Sequence, residues 1–156
     1  MDNQTARIAN ATPTQLIQIT YEIILNHLQK AKDSLTTQEI TSFLTHIEQA
    51  QKLLRNLMES LDLSYDISME IMSLYLYVNK LLIQASMQKG KEPIEQSEKI
   101  LNNLLVAWRE LAKQNPDQQG PVLENAQQVY AGLTYGKGTL NEAVIDPDNQ
   151  KRGFKA

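Results

Sequence analysis

Apolar residues recur along most of the chain at the alternating three- and four-residue spacing of amphipathic helices, with short polar stretches between the runs. The pattern predicts four helices over about 13–35, 38–61, 67–89 and 93–115. Because the predicted links are short, consecutive helices run antiparallel. The expected fold class is all-α, an antiparallel four-helix bundle with a short fifth helix and an irregular C-terminal tail as possible additions.

Local signals mark the ends of these helices. Thr12 is a good N-cap, Pro13 suits the first helical position, and Gln15 completes a capping box. Thr36 with Glu39 repeats that pattern before the second helix. The stretch 62–66 reads as the link to the third helix, and Gly90 is expected to end that helix in the left-handed conformation.

Each predicted helix has one apolar face for the core. The expected core residues are Ile17, Tyr21, Ile24, Leu28, Ala31 and Leu35 in the first helix, Ile40, Phe43, Leu44, Ile47, Ala50, Leu54, Met58 and Leu61 in the second, Ile67, Ile71, Leu74, Val78, Leu81 and Ala85 in the third, and Ile100, Leu101, Leu104, Leu105, Trp108 and Leu111 in the fourth.

The third helix also carries a second apolar stripe on roughly its opposite side, and the first helix carries a shorter one. The residues of the two stripes are Met69, Met72, Leu76, Ile83 and Met87 in the third helix and Leu16, Ile19 and Ile23 in the first. An apolar surface in excess of the core predicts a binding surface for another protein. The alternative is that the N-terminal segment, the C-terminal tail or a second copy of the chain covers it.

The two ends of the chain lack a sustained apolar period. Residues before Thr12 are expected to be mobile or lightly docked. After Pro116 the composition changes, and only Val122–Leu133 has the pattern of a short helix that could dock on the bundle. The predicted organisation is therefore a helical domain over 1–115 and a C-terminal extension over 116–156.

Composition narrows the function classes. The net charge of −3 comes from intermixed signs, which gives no basic footprint for nucleic acid. No run approaches the roughly 20 apolar residues of a membrane span, and the absence of cysteine fits a reducing compartment, so the cytoplasm is the default location. His27 and His46 are expected to be isolated, with no second imidazole at a metal-ligand spacing, and no acid–base pair stands at a fixed spacing. We therefore expect no enzyme activity, no catalytic residues, no metal and no cofactor.

Two stretches resemble a known family. The run ATPTQLI at 11–17 with TYE at 20–22, and LYLY at 74–77 with LL at 81–82, are similar in order and spacing to motifs of the flagellin export chaperones, the FliS family. Trp108 stands where many members carry a tryptophan. The chain departs from the family in lacking its tyrosine near the N-terminus, where Ala6, Arg7 and Ile8 stand.

The resemblance implies a helical bundle that binds the disordered C-terminal segment of flagellin, prevents premature polymerisation and assists export, with the export apparatus as a further partner. Tyr75 and Tyr77 are then candidate partner contacts beside the stripes, with burial of their rings in the core as the alternative. We expect a monomer or weak dimer. A self-associating structural or regulatory bundle that does not bind flagellin is the alternative function.

Overall fold

The computed structural model describes residues 3–114; the expectations for 116–156, including the Val122–Leu133 helix and the domain boundary, lie outside the described residues. The described part is all-α and contains no strand. Its helices are α1 (Asn3–Asn10), α2 (Pro13–Thr36), α3 (Ile40–Glu59), α4 (Asp66–Gln88) and α5 (Glu92–Gln114). The expected four-helix bundle corresponds to α2–α5, whereas α1 forms in the segment for which no helix was predicted.

The capping box predicted at the start of α2 is confirmed. Thr12 has extended backbone angles, and its hydroxyl oxygen accepts a hydrogen bond from the backbone N–H of Gln15 at 3.3 Å. The Gln15 side-chain oxygen accepts one in return from the backbone N–H of Thr12 at 2.9 Å. Two backbone donors that the first helical turn leaves free are thereby satisfied.

Two other predicted helix ends are wrong. The N-cap of α3 is Glu39, whose side chain makes no capping bond, because its carboxylate instead accepts a hydrogen bond from the Thr37 hydroxyl at 2.6 Å. At the end of α4 the left-handed residue is Lys89, with φ 54°, and its N–H donates to the Ala85 carbonyl at 2.8 Å. Gly90 therefore follows the turn rather than making it.

The packing order of the bundle places α2 and α4 on a diagonal. Helix α2 packs on α3 and α5, and α4 packs on the same two helices. The outer sides of α2 and α4 therefore face in opposite directions. Helix α1 has no buried residue of its own and is joined to α2 by an ion pair between Arg7 and Glu22.

The core is built as expected around α2, where five of the six predicted core residues are buried and Leu35 is half-buried. Four predicted core residues are wrong: Ile40, Leu44, Ile67 and Leu74 are 38–47% exposed. Ile40 and Ile67 stand in the first turn of their helices, where fewer neighbours cover them. In α4 the buried apolar residues are Ile71, Tyr75, Val78, Leu81, Leu82 and Ala85, so Tyr75 rather than Leu74 faces the core at that turn.

Three polar aromatic atoms meet inside this core. The hydroxyls of Tyr21 and Tyr75 are 2.6 Å apart, and the indole N–H of Trp108 donates to the Tyr21 hydroxyl at 3.2 Å. Burial raises the pKa of Tyr21 to about 12, and burial together with Tyr21 raises the pKa of Tyr75 well above its usual value. Both phenols therefore stay protonated, and this cluster joins α2, α4 and α5.

Replacing Tyr21 or Tyr75 by phenylalanine is expected to cause unequal losses of stability. We expect Tyr21→Phe to lower the free energy of unfolding by about 2–4 kcal/mol, because it leaves the Tyr75 hydroxyl and the Trp108 N–H without this partner. Tyr75→Phe leaves the Trp108–Tyr21 bond in place and should cost about 1 kcal/mol. Urea unfolding of both variants followed by circular dichroism measures the difference, and equal losses would contradict a central role for Tyr21.

Candidate partner-binding surfaces

The second stripe of α4 is an exposed apolar surface. Met69, Leu76, Ile83 and Met87 are 49%, 55%, 45% and 76% exposed, and Met72 beside them is half-buried. We call these five residues the outer stripe. The Gln51 side-chain amide of α3 donates to Asn79 of α4 at 3.2 Å, which marks the side of α4 that faces α3. The outer stripe lies next to Asn79 around the helix, so it borders α3.

The two tyrosines of this region take different positions. Tyr75 is 1% exposed and belongs to the core cluster with Tyr21, so its ring does not lie on the outer stripe. Tyr77 is 47% exposed, and because it follows Leu76 directly it lies about 100° around α4 from that residue, on the flank away from Asn79. The structure therefore removes Tyr75 from the outer stripe and leaves Tyr77 exposed beside it.

The shorter stripe of α2 is covered. Leu16 and Ile19 are only 6% and 3% exposed, and Ile23 is half-buried, although Ile19 lies on the side of α2 opposite the core residue Tyr21. Leu16 belongs to the core of the bundle, and Ile23 packs against that core. Ile19 lines, together with Gln15 and Gln18 of α2, a cavity of about 300 Å³ that α1 borders through Arg7 and Asn10. The bundle therefore buries Leu16 and part of Ile23, and α1 lies beside Ile19.

Within the described residues, an apolar contact and an ion pair attach α1 to the bundle. Ile8 is its half-buried apolar residue and packs against the core, and Arg7 pairs with the Glu22 carboxylate at 2.8 Å. The second oxygen of Glu22 accepts from Arg109 of α5 at 3.2 Å. All three charged side chains are about a third to a half exposed, and such surface pairs contribute about 0–1 kcal/mol. Of these two contacts, Ile8 therefore contributes more to holding α1.

The two apolar surfaces of the sequence analysis do not form one continuous site. Helices α2 and α4 are diagonal, and α3 lies between the two stripes. The outer stripe borders α3 at Asn79, and Ile23 of the α2 stripe precedes by one turn His27, which contacts His46 of α3. One partner reaches both surfaces only if its chain passes around α3.

The histidines were expected to be isolated, and this is wrong. His27 of α2 and His46 of α3 lie side by side, with their Nδ1 atoms 3.0 Å apart and ring centroids 5.2 Å apart. The sequence does contain a signal for this contact. The first two predicted helices are antiparallel and joined by a short link, which brings residues near 27 opposite residues near 46. Among residues 3–114 no cluster of three or more His, Cys, Asp or Glu side chains is arranged to hold a metal ion.

Comparison with known protein families finds a match over the part of the chain that carries the motifs. The family model described as flagellar protein FliS matches residues 1–115, which include all five described helices. No curated protein matches the chain. Within the described residues, no helix is long and apolar enough to cross a membrane. With most of its length matched by one family model and an all-α bundle beneath that match, the chain belongs to the FliS family of flagellar export chaperones.

Proposed function

We propose that this chaperone binds the disordered C-terminal segment of flagellin in the cytoplasm, prevents its premature polymerisation and assists its export. The observation that carries the proposal is the outer stripe, where four large apolar side chains of one helix are between 45% and 76% exposed. Exposed apolar rows at helical spacing are what an amphipathic helix of a partner binds. Membership of the family makes flagellin the partner that fits.

The chemistry of the stripe suits a partner that folds as it binds. A disordered segment loses conformational entropy when it becomes ordered, and apolar burial at about 25 cal/mol per Å² offsets that cost. Met69, Met72 and Met87 are unbranched and polarizable, so they adapt to a partner helix without requiring one shape. Leu76 and Ile83 supply the more rigid contacts between them.

The second surface of the proposal is the α2 stripe, which α1 borders at Ile19. Helix α1 is attached to the described bundle through the half-buried Ile8 and the exposed Arg7–Glu22 ion pair, so displacing it costs little compared with opening the bundle. A flagellin segment that leaves the outer stripe and passes around the bundle would replace α1 there. In this proposal, one piece of the flagellin segment binds α4 and a separate piece of the same segment binds α2.

The first test is Leu76→Glu. Because Leu76 is 55% exposed, we expect the bundle to keep its helix content, while a buried carboxylate in the complex lowers affinity for a flagellin C-terminal peptide by at least about 100-fold. The matched control is Val106→Glu on α5, since Val106 is 57% exposed. Titration with the peptide, followed by calorimetry and circular dichroism, measures both.

The outcome of that titration decides between capture and self-association. The proposal is supported if the unaltered protein and Val106→Glu are monomers that each bind one flagellin peptide, while Leu76→Glu does not bind it. Equal loss in Val106→Glu would contradict the assignment of the outer stripe. A tight dimer that ignores the peptide and dissociates in Leu76→Glu, measured by sedimentation, would replace capture by self-association.

A second prediction concerns the α1 cover. We expect Ile8→Ser to remove the main anchor of α1 and to raise hydrogen exchange of its amides by about tenfold, which corresponds to about 1.4 kcal/mol, with the bundle amides unchanged. Ala6→Ser, on an exposed position of the same helix, is the control. Affinity for the flagellin peptide should be equal or higher in Ile8→Ser, whereas a large loss would mean that α1 takes part in binding.

A further inference from the structure

The contact between His27 and His46 requires a particular protonation state. A neutral imidazole has one N–H donor and one nitrogen acceptor, so a 3.0 Å approach of two Nδ1 atoms is a hydrogen bond when one carries a proton and the other does not. When both rings are protonated, both Nδ1 atoms are donors and both rings are cations. The bond is then lost and the two charges repel each other.

The surroundings of the pair add to this effect. The two rings are half-buried between α2 and α3, where water screens the charges less than at an open surface. Burial, then the nearby His46, and then Lys30 on α2 lower the pKa of His27. Among the described residues, the charged groups that act on His27 are therefore Lys30 on its own helix and His46 on α3.

We propose that the His27–His46 pair is a proton-sensitive latch between α2 and α3, which ties the two helices together at neutral pH and loosens them in mild acid. The geometry that carries the proposal is the Nδ1–Nδ1 approach across the helix interface. The neighbouring cross-link, between the hydroxyls of Ser34 and Ser42 at 3.0 Å, joins the same helices without a titratable group. The α2–α3 contact thus contains one pH-dependent and one pH-independent polar bond.

The direction of the effect follows from proton linkage. Since the pKa of His27 is lower in the folded chain than its usual value of about 6.5, the unfolded chain binds more protons in the range between the two values. The pair makes its full contribution to the free energy of unfolding above about pH 6.5, and this contribution falls as the pH drops from there to the lowered pKa of His27. Below that pKa no further loss comes from His27.

The latch lies close to the α2 stripe. His27 follows Ile23 of the α2 stripe by four residues, so the two side chains are neighbours on the same helix. Loosening of α2 from α3 acts on the helix that carries Leu16, Ile19 and Ile23. The proposal goes beyond flagellin capture, because it concerns the free chaperone and requires no partner.

Urea unfolding of the full chain at about pH 7.5 and at about pH 5 tests the latch against the His27→Gln, His46→Gln variant, which keeps polar side chains without titration. We expect the unfolding midpoint of the unaltered protein to fall more between the two pH values than that of the double variant. Nuclear magnetic resonance of the imidazole protons should place the His27 titration below the usual range.

Ser42→Ala serves as the control for the same interface. It removes a hydrogen bond between α2 and α3 and should lower the midpoint by the same amount at both pH values, so its pH dependence matches that of the unaltered protein. The proposal is overturned if the double variant shows the full pH dependence of the unaltered protein. It is also overturned if His27 titrates near about 6.5 and independently of His46.

Discussion

The hydrogen-bonded cluster of Tyr21, Tyr75 and Trp108 is the constraint on which the arrangement of this bundle depends. Three polar atoms from α2, α4 and α5 lie in a largely apolar core, and each is satisfied by another member of the cluster. An unpaired buried hydroxyl or indole N–H costs about 1–3 kcal/mol, so other rotations of these helices are disfavoured. The cluster therefore sets the rotation of α4 as well as its distance from α2.

The exposed surface of α4 is a consequence of that rotation. Successive helical residues are about 100° apart, so an inward Tyr75 turns Leu76 away from the core. Residues seven positions before and after Leu76, Met69 and Ile83, then fall on the same side. The outer stripe is thus generated by a buried interaction on the opposite side of the same helix. Its exposure in a folded chain does not require any loss of core packing.

The edges of the bundle are joined by polar contacts of different character. Lys32 and Glu98, both 17% exposed, form a 2.7 Å ion pair between α2 and α5, and Glu22 links Arg7 of α1 to Arg109 of α5. The α2–α3 edge has the histidine and serine pairs instead. Helix α2 consequently has different polar neighbours on its two sides.

Helix periods, the capping box at Thr12 and the motifs of the family could be predicted from the sequence, because each depends on residues within a few turns of one another. The apolar excess of α4 could be predicted for the same reason. The burial of Tyr75 in place of Leu74 could not, since it follows from hydrogen bonds between residues 54 and 87 positions apart along the chain. Nor could the position of α1 beside Ile19 or the meeting of His27 with His46. These depend on which helices pack side by side and at what register, and only the folded bundle decides that.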